Sequence, residues 1–244
     1  MGDPDYSIIL PVYNQADHIV ETVCEYREAL QDFPASWEIL LVVNGSRDAS
    51  WERCQELAYT YPGIRAFCSE RSGWGHAVCL GLTEALGRTL CYTNSARTSA
   101  ADLHRLLRYA VNNPQTVIKA NRKIRESRQR RLGSLLYNME CRALFDLPYW
   151  DINGTPKIFP RDFRPLLRLS RPDDLIDLEF HVICRHYHYP MMEIPILSTQ
   201  RRGGRSTTRW SSALRLYWGA WRMRQELKKN PILPAERGDG LDAA

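Results

Sequence analysis

Long apolar runs are missing from this chain, so no segment of it is expected to span a bilayer. Met1-Gly2-Asp3-Pro4-Asp5 does not read as a signal peptide, so no leader is expected. Cysteine pairs are absent. The seven cysteines (24, 54, 68, 79, 91, 141 and 184) are scattered with no Cys-x-x-Cys. An odd, dispersed set argues against a disulfide frame or a zinc site and for reduced core thiols. These absences point to a cytosolic protein whose membrane attachment, if it has one, is peripheral. The histidines (18, 76, 104, 181, 186 and 188) form no ligand set, and no serine or cysteine triad is present. There is no internal repeat, no low-complexity linker and no nucleic-acid motif.

What is present is a regular alternation. The 244 residues suffice for one large domain or two small ones, and 44% of them are hydrophobic, enough for a sizeable core. Strands are expected near 6–10, 37–43, 64–68, 89–93 and 116–120. Helices near 15–32, 48–60, 75–87 and 100–112 separate them. Asp48 and Asp102 are candidate helix caps. The second half is less regular. A helix near 131–146, a loop Pro148–Pro156, a strand near Lys157–Phe159, a helix near 175–187 and a strand near 191–197 are expected. Residues 231–244, rich in Pro, Gly and Asp, read as a disordered tail.

Two strand tips carry the chemistry. Ser7–Leu10 runs into Pro11-Val12-Tyr13-Asn14, and Glu38–Val43 runs into Asn44-Gly45-Ser46-Arg47-Asp48. Apolar strands alternating with helices imply a parallel sheet covered on both faces, with ligands at the carboxyl ends of the strands. The two polar turns therefore read as the floor of a nucleotide site. The net charge of +5 is modest, but it is clustered in Arg122–Arg131 and Arg201–Arg209. Nucleic acid is one partner for such clusters. Phosphate on a small or lipidic ligand is the favoured one, because both clusters fall where a cleft would be lined.

These turns, with Arg71-Ser72-Gly73-Trp74-Gly75-His76-Ala77, Asp177-Leu178-Glu179 and Glu193-Ile194-Pro195-Ile196, resemble the inverting glycosyltransferases of family two. The likeness is greatest to the dolichyl- or polyprenyl-phosphate sugar synthases, and it runs from residue 6 to about 208. It implies a three-layer α/β fold of the glycosyltransferase-A type, a Rossmann-like mixed sheet with a C-terminal helical extension. Residues 1–208 would form that domain and 209–230 a basic, aromatic amphipathic helix. The implied reaction is direct displacement at the anomeric carbon of a nucleotide sugar by a phosphorylated or lipid-like acceptor.

The resemblance also fixes what is odd. The family's second turn is Asp-Asp-Gly-Ser-x-Asp, and here the acidic pair is lost. The family's Asp-x-Asp metal ligands, with a further polar ligand beyond, fall on Asn94, Ala96 and Thr98. Hard divalent cations want carboxylate oxygens, so Mg²⁺ or Mn²⁺ is disfavoured and no cofactor is expected. Three readings stay open. An arginine such as Arg97 replaces the metal's charge. Or the fold serves a different transfer on a phosphate-bearing substrate. Or the protein is a non-catalytic phospho-ligand binder. The candidate catalytic acids are Asp177 and Glu179, as base or orienting groups, set against the ordinary preference of acids for helix starts. The candidate substrate-binding residues are Pro11, Tyr13, Asn14, Asn44, Ser46, Asn94, Ala96, Arg97, Arg122, Arg131 and Ser134, followed by Asn138 at the family's spacing. Arg201, Arg202 and Arg205 flank two glycines in a loop suited to clamp a diphosphate. Gly73 and Gly75 either admit a ligand or form a tight turn into a helix.

Trp210, Leu214, Tyr217, Trp218 and Trp221 fall at helical spacing on one face, with basic residues elsewhere. Such a helix lies in a membrane interface, packs on the domain or pairs with a second copy. Nothing in the sequence sets an oligomeric state.

Overall fold

The computed structural model describes residues 2–122, 128–197 and 210–232; the side chains of 128–131 and 210–214 fall outside that description. The expected tail beyond 232 and the expected clamp at 201–205 lie outside the described residues.

Among the described residues the chain builds a seven-stranded sheet in the order β3-β2-β1-β4-β6-β5-β7. Four strands enter in alternation with helices: β1 (Tyr6–Val12), α1 (Ile19–Ala29), β2 (Trp37–Asn44), α2 (Ser50–Thr60), β3 (Ile64–Ser69), α3 (Trp74–Glu84) and β4 (Thr89–Tyr92). Then come α4 (Ala100–Asn112), β5 (Val117–Arg122), α5 (Arg128–Phe145) and β6 (Lys157–Pro160). A 3-10 turn at Arg164–Arg168, α6 (Ile176–His186), β7 (Met191–Ile196) and α7 (Trp210–Lys229) close the chain. All pairings are parallel except those of β6, which runs antiparallel to both β4 and β5.

Strand alternation assigns the two faces. Ile8, Leu10 and Val12 join Val23, Leu103 and Leu106 on the side of α1 and α4. Ile9, Leu40 and Val42 join Val78, Leu82, Phe180 and Ile183 on the side of α3 and α6. A third apolar cluster joins α5, α6 and α7 through Tyr137, Cys141, Leu175, Leu178, Ala220 and Met223.

Several boundaries move for local reasons. β1 continues through Pro11 to Val12. Proline is tolerated there because β1 pairs with β4 only as far as Ile9, so its missing donor faces no partner strand. The first helix starts at Ile19, not near 15. The Gln15 and Ala16 amides are drawn off to Ser50 Oγ and Asp48 Oδ2 of the next turn, at 2.8 and 3.0 Å. The cap of α4 is Ser99, whose Oγ accepts from the Asp102 amide at 3.0 Å; Asp102 sits inside the first turn and does not cap it. The 3-10 turn has no counterpart in the sequence reading.

Candidate active site

The order of strands marks a candidate crevice. From β1 the chain steps outward to β2 and β3, then returns to place β4 on the other side of β1. The sheet therefore reverses its winding between β1 and β4, and the crevice outside their carboxyl ends is the binding position for an open α/β sheet. Tyr13, Asn14 and Asn94 stand at these tips.

The first two turns are latched to one another. The Asn14 amide donates to Ser46 Oγ at 3.0 Å, and the Arg47 amide donates to Asn14 Oδ1 at 2.8 Å. Asn14 holds a φ of 49°, which suits its short polar side chain better than most. Pro11 is buried in the strand, whereas Tyr13 is partly open. Asn44 is buried; its Nδ2 donates to the Val12 carbonyl at 2.9 Å and its Oδ1 accepts from the Gly73 amide at 3.2 Å. One carboxamide thus ties three loops together, a task a carboxylate could not do because it has no donor.

The glycines at the start of α3 admit protein rather than an open space. A Cβ at Gly75 would stand 1.9 Å from the Arg171 carbonyl oxygen, and one at Gly73 would stand 2.4 Å from that of Pro172. The His76 amide donates to the Pro172 oxygen at 3.1 Å. Gly75→Ala is expected to cost about 1–3 kcal/mol through the forced backbone shift. Urea unfolding measures it, and a wild-type midpoint would show that the 171–173 segment yields freely.

The turn after β4 is spent on itself. Asn94 Oδ1 accepts from the Ala96 amide at 3.1 Å, Thr98 Oγ1 pairs with Thr93 Oγ1 at 2.7 Å, and Ser95 Oγ donates to Gln15 Oε1 at 2.6 Å. Ala96 is buried and Arg97 half-buried. A divalent cation would meet one committed amide oxygen, one committed hydroxyl and a methyl group. This donor set does not fit Mg²⁺ or Mn²⁺.

Beside the crevice lies a transverse row of polar side chains that the sequence reading overlooked. Strand register puts Tyr92, Lys157, Lys119 and Glu193 side by side across β4, β6, β5 and β7. Both lysines are fully buried. Lys119 Nζ donates to Glu193 Oε1 at 2.8 Å and to the Trp150 and Asp151 carbonyls. Lys157 Nζ pairs with Asp177 Oδ1, which also accepts from Tyr92 Oη at 3.1 Å. Burial pulls the Lys157 ammonium down to about 8 against the opposing pull of Asp177. The one available signal was a lysine within each apolar strand segment.

The predicted acids part company. Asp177 is buried in this ion pair. Glu179 faces another way, accepting from the Ser170 amide and hydroxyl at 2.9 and 2.8 Å and from the Arg171 amide at 3.0 Å. It anchors the segment that α3 packs against. Asp174 stands three residues before Asp177, ahead of the first residue of α6, and is exposed. Desolvation where the carboxyl lies against protein, with the charges of Asp177 and Asp173, raises it from the ordinary carboxylate range.

Of the predicted cations, Arg122 is taken up by Asp151 in a two-pronged contact at 2.8 and 2.7 Å. Ser134 contacts Asn138, whose Oδ1 accepts from the Ile152 amide at 2.8 Å. The side chain of Arg131, and all of Arg201, Arg202 and Arg205, lie outside the described residues.

Residues 7–165 match the sequence profile of glycosyl transferase family 2. The chain belongs to this family. Among similar proteins is the dolichol-phosphate mannosyltransferase of Pyrococcus furiosus, 35% identical over 33% of this chain and 22% of its own length. Another is the undecaprenyl-phosphate 4-deoxy-4-formamido-L-arabinose transferase of Pseudomonas fluorescens, 24% identical over 82% of this chain and 59% of its own. The chain thus spans less than two thirds of these relatives. Glucosyl-3-phosphoglycerate synthase of Mycobacterium tuberculosis, in complex with phosphoglyceric acid, superposes with a TM-score of 0.70 at 15% identity, over 96% of this chain and 82% of that one. The fold of this family 2 protein is thus of the expected glycosyltransferase-A type. The same synthase has been solved with Mn²⁺, uridine diphosphate and glucosyl-3-phosphoglycerate, at a TM-score of 0.69.

Proposed function

We propose that this family 2 protein transfers a sugar from a nucleotide sugar to a phosphate-bearing acceptor, with a polyprenyl-phosphate-like lipid as the favoured class, and does so without a divalent cation. The observation that carries the reading is the crevice at the β1–β4 reversal, with its latched turns and the Tyr92–Asp177–Lys157 contacts beside it. The nucleotide lies over Tyr13, Asn14 and the Asn44–Ser46 turn. The acceptor oxygen attacks the anomeric carbon as the bond to the nucleotide diphosphate breaks. Asp174 takes a proton from a hydroxyl acceptor, or orients an acceptor phosphate that is already anionic. Asp177 acts as a positioning residue, holding Lys157 and Tyr92 beneath the site, and Glu179 fixes the loop that carries Asp174. Charge on the departing diphosphate is met by Arg97, Arg131, Arg202 and Arg205, since guanidinium groups clamp phosphate without a metal.

Turnover and nucleotide binding are expected to survive excess EDTA and to show no saturable gain with Mn²⁺. Arg131→Ala and Arg205→Ala are each expected to weaken binding by about 1–3 kcal/mol, read by calorimetry with a panel of nucleotide sugars. A steep Mn²⁺ requirement would show that other ligands complete a metal site. Tight binding without turnover on any donor and acceptor would favour the non-catalytic reading.

A further inference from the structure

The outer surface of α5 carries an apolar stripe where a solvent-facing helix should be polar. Leu132, Leu135, Leu136 and Met139 recur at i, i+3, i+4 and i+7, and all stand on the side opposite the buried Asn138, Cys141 and Phe145. Their exposures run from 42% to 58%.

α7 continues this surface. It lies against α5, with Tyr217 Oη donating to the Gly133 carbonyl at 2.8 Å and the Tyr137 and Tyr217 rings 5.7 Å apart. Its inner seam is Leu216, Gly219, Ala220 and Met223, packed on Leu175 and its neighbours at the start of α6. Tyr217 is therefore a lateral contact, and the aromatic stripe expected from the sequence is divided. Trp218 and Trp221 are left facing solvent at 69% and 49% exposure, edge to face with centroids 6.0 Å apart. Both helices rest their inner sides on one core cluster and touch along one side. Four exposed apolar side chains on α5 and two exposed indoles on the adjoining α7 are more than isolated surface residues.

The exposed charged residues of α7 are basic: Arg215, Arg222, Lys228 and Lys229. Of the acids on the two helices, Glu226 is drawn off by Arg171 at 2.5 Å, and Glu140 is half-buried beside Tyr217 with its carboxyl raised by burial. Apolar and indole groups flanked by cations fit the boundary between lipid headgroups and acyl chains of an anionic bilayer. A second copy of this face would bring like charges together. No helix among the described residues is long and apolar enough to cross a membrane.

We infer that the paired outer faces of α5 and α7 dock this protein on an anionic lipid surface, with Leu132, Leu135, Leu136, Met139, Trp218 and Trp221 inserted at the interface. α5 begins just after the crevice end of β5, so the docked face would lie beside the mouth that receives the acceptor. In that purpose the inference rests on the lipid-acceptor reading. A binding assay needs no turnover and so separates the two.

The test is co-sedimentation of the full chain with vesicles of phosphatidylcholine, with and without phosphatidylglycerol. Binding is expected only with the anionic lipid and is expected to weaken as salt rises. Leu136→Ser with Trp218→Ser should lower the partition coefficient at least about tenfold. Circular dichroism and the unfolding midpoint should be unchanged, since both side chains are exposed. Brominated lipid should quench tryptophan emission in the wild type and much less in Trp218→Phe/Trp221→Phe. Absence of binding to anionic vesicles, or binding indifferent to these substitutions, would overturn the inference. So would a stable dimer that the same Ser substitutions convert to monomer, because the face would then be covered by a second copy. Vesicle binding without turnover on any lipid phosphate would retain the docking face and remove the acceptor reading.

Discussion

Lys157→Met is expected to destabilise the protein by about 3–5 kcal/mol, the scale for breaking a buried ion pair from one side. Lys157 is fully buried, and its ammonium is the cation beside an equally enclosed Asp177. It also lies 5.4 Å from the centroid of the Tyr92 ring and 5.6 Å from that of Phe180. Methionine fills much of the same volume but leaves the carboxylate with only the Tyr92 hydroxyl. The cost is then that of an uncompensated buried charge rather than lost packing. The double variant Lys157→Met/Asp177→Leu should recover most of the loss, because an apolar pair of similar size needs no desolvation offset. Urea unfolding of the two single variants and the double variant closes the cycle. A double variant as unstable as the sum of the singles would show that the pair is not an isolated electrostatic unit.

Asp174→Asn is expected to lower kcat by about 10²–10⁴-fold while leaving nucleotide affinity near that of the wild type, the usual range for loss of a positioned base. The asparagine keeps the shape and the solvent exposure but cannot accept the proton. The pH profile supplies a second readout. A base works ionised, and partial desolvation with the nearby Asp177 and Asp173 charges raises this carboxyl above its ordinary value. The wild-type rate should therefore climb with pH as this carboxyl ionises and level above that, and the limb should vanish in the variant. Asp177→Asn, by contrast, should act mainly through stability. An unchanged kcat and pH profile in Asp174→Asn would remove this residue from the reaction and point to an acceptor phosphate that needs no base.

Periodicity sufficed for the alternation of strands and helices in the first half of the chain. There each apolar run is the length of a strand, and each helix hides one stripe on the sheet. The two strand-tip turns were also plain in one dimension, because each is a contiguous string. By itself, then, the sequence determined the fold class and the family resemblance. What the acids do was decided only in three dimensions. Asp174, Asp177 and Glu179 lie within six residues, yet one is exposed ahead of α6, one is buried against Lys157 and one holds the 170–171 loop. Gly73 and Gly75 were equally ambiguous until the carbonyls of Arg171 and Pro172, distant in sequence, filled the space. The row Tyr92–Lys157–Lys119–Glu193 exists only through the antiparallel insertion of β6 between β4 and β5. The split of the aromatic stripe on α7 likewise depends on which neighbour claims each side of the helix. Local pattern encodes which face of an element is apolar, whereas the partner of a buried charge and the cover of an apolar face are set by contacts between segments far apart in the chain.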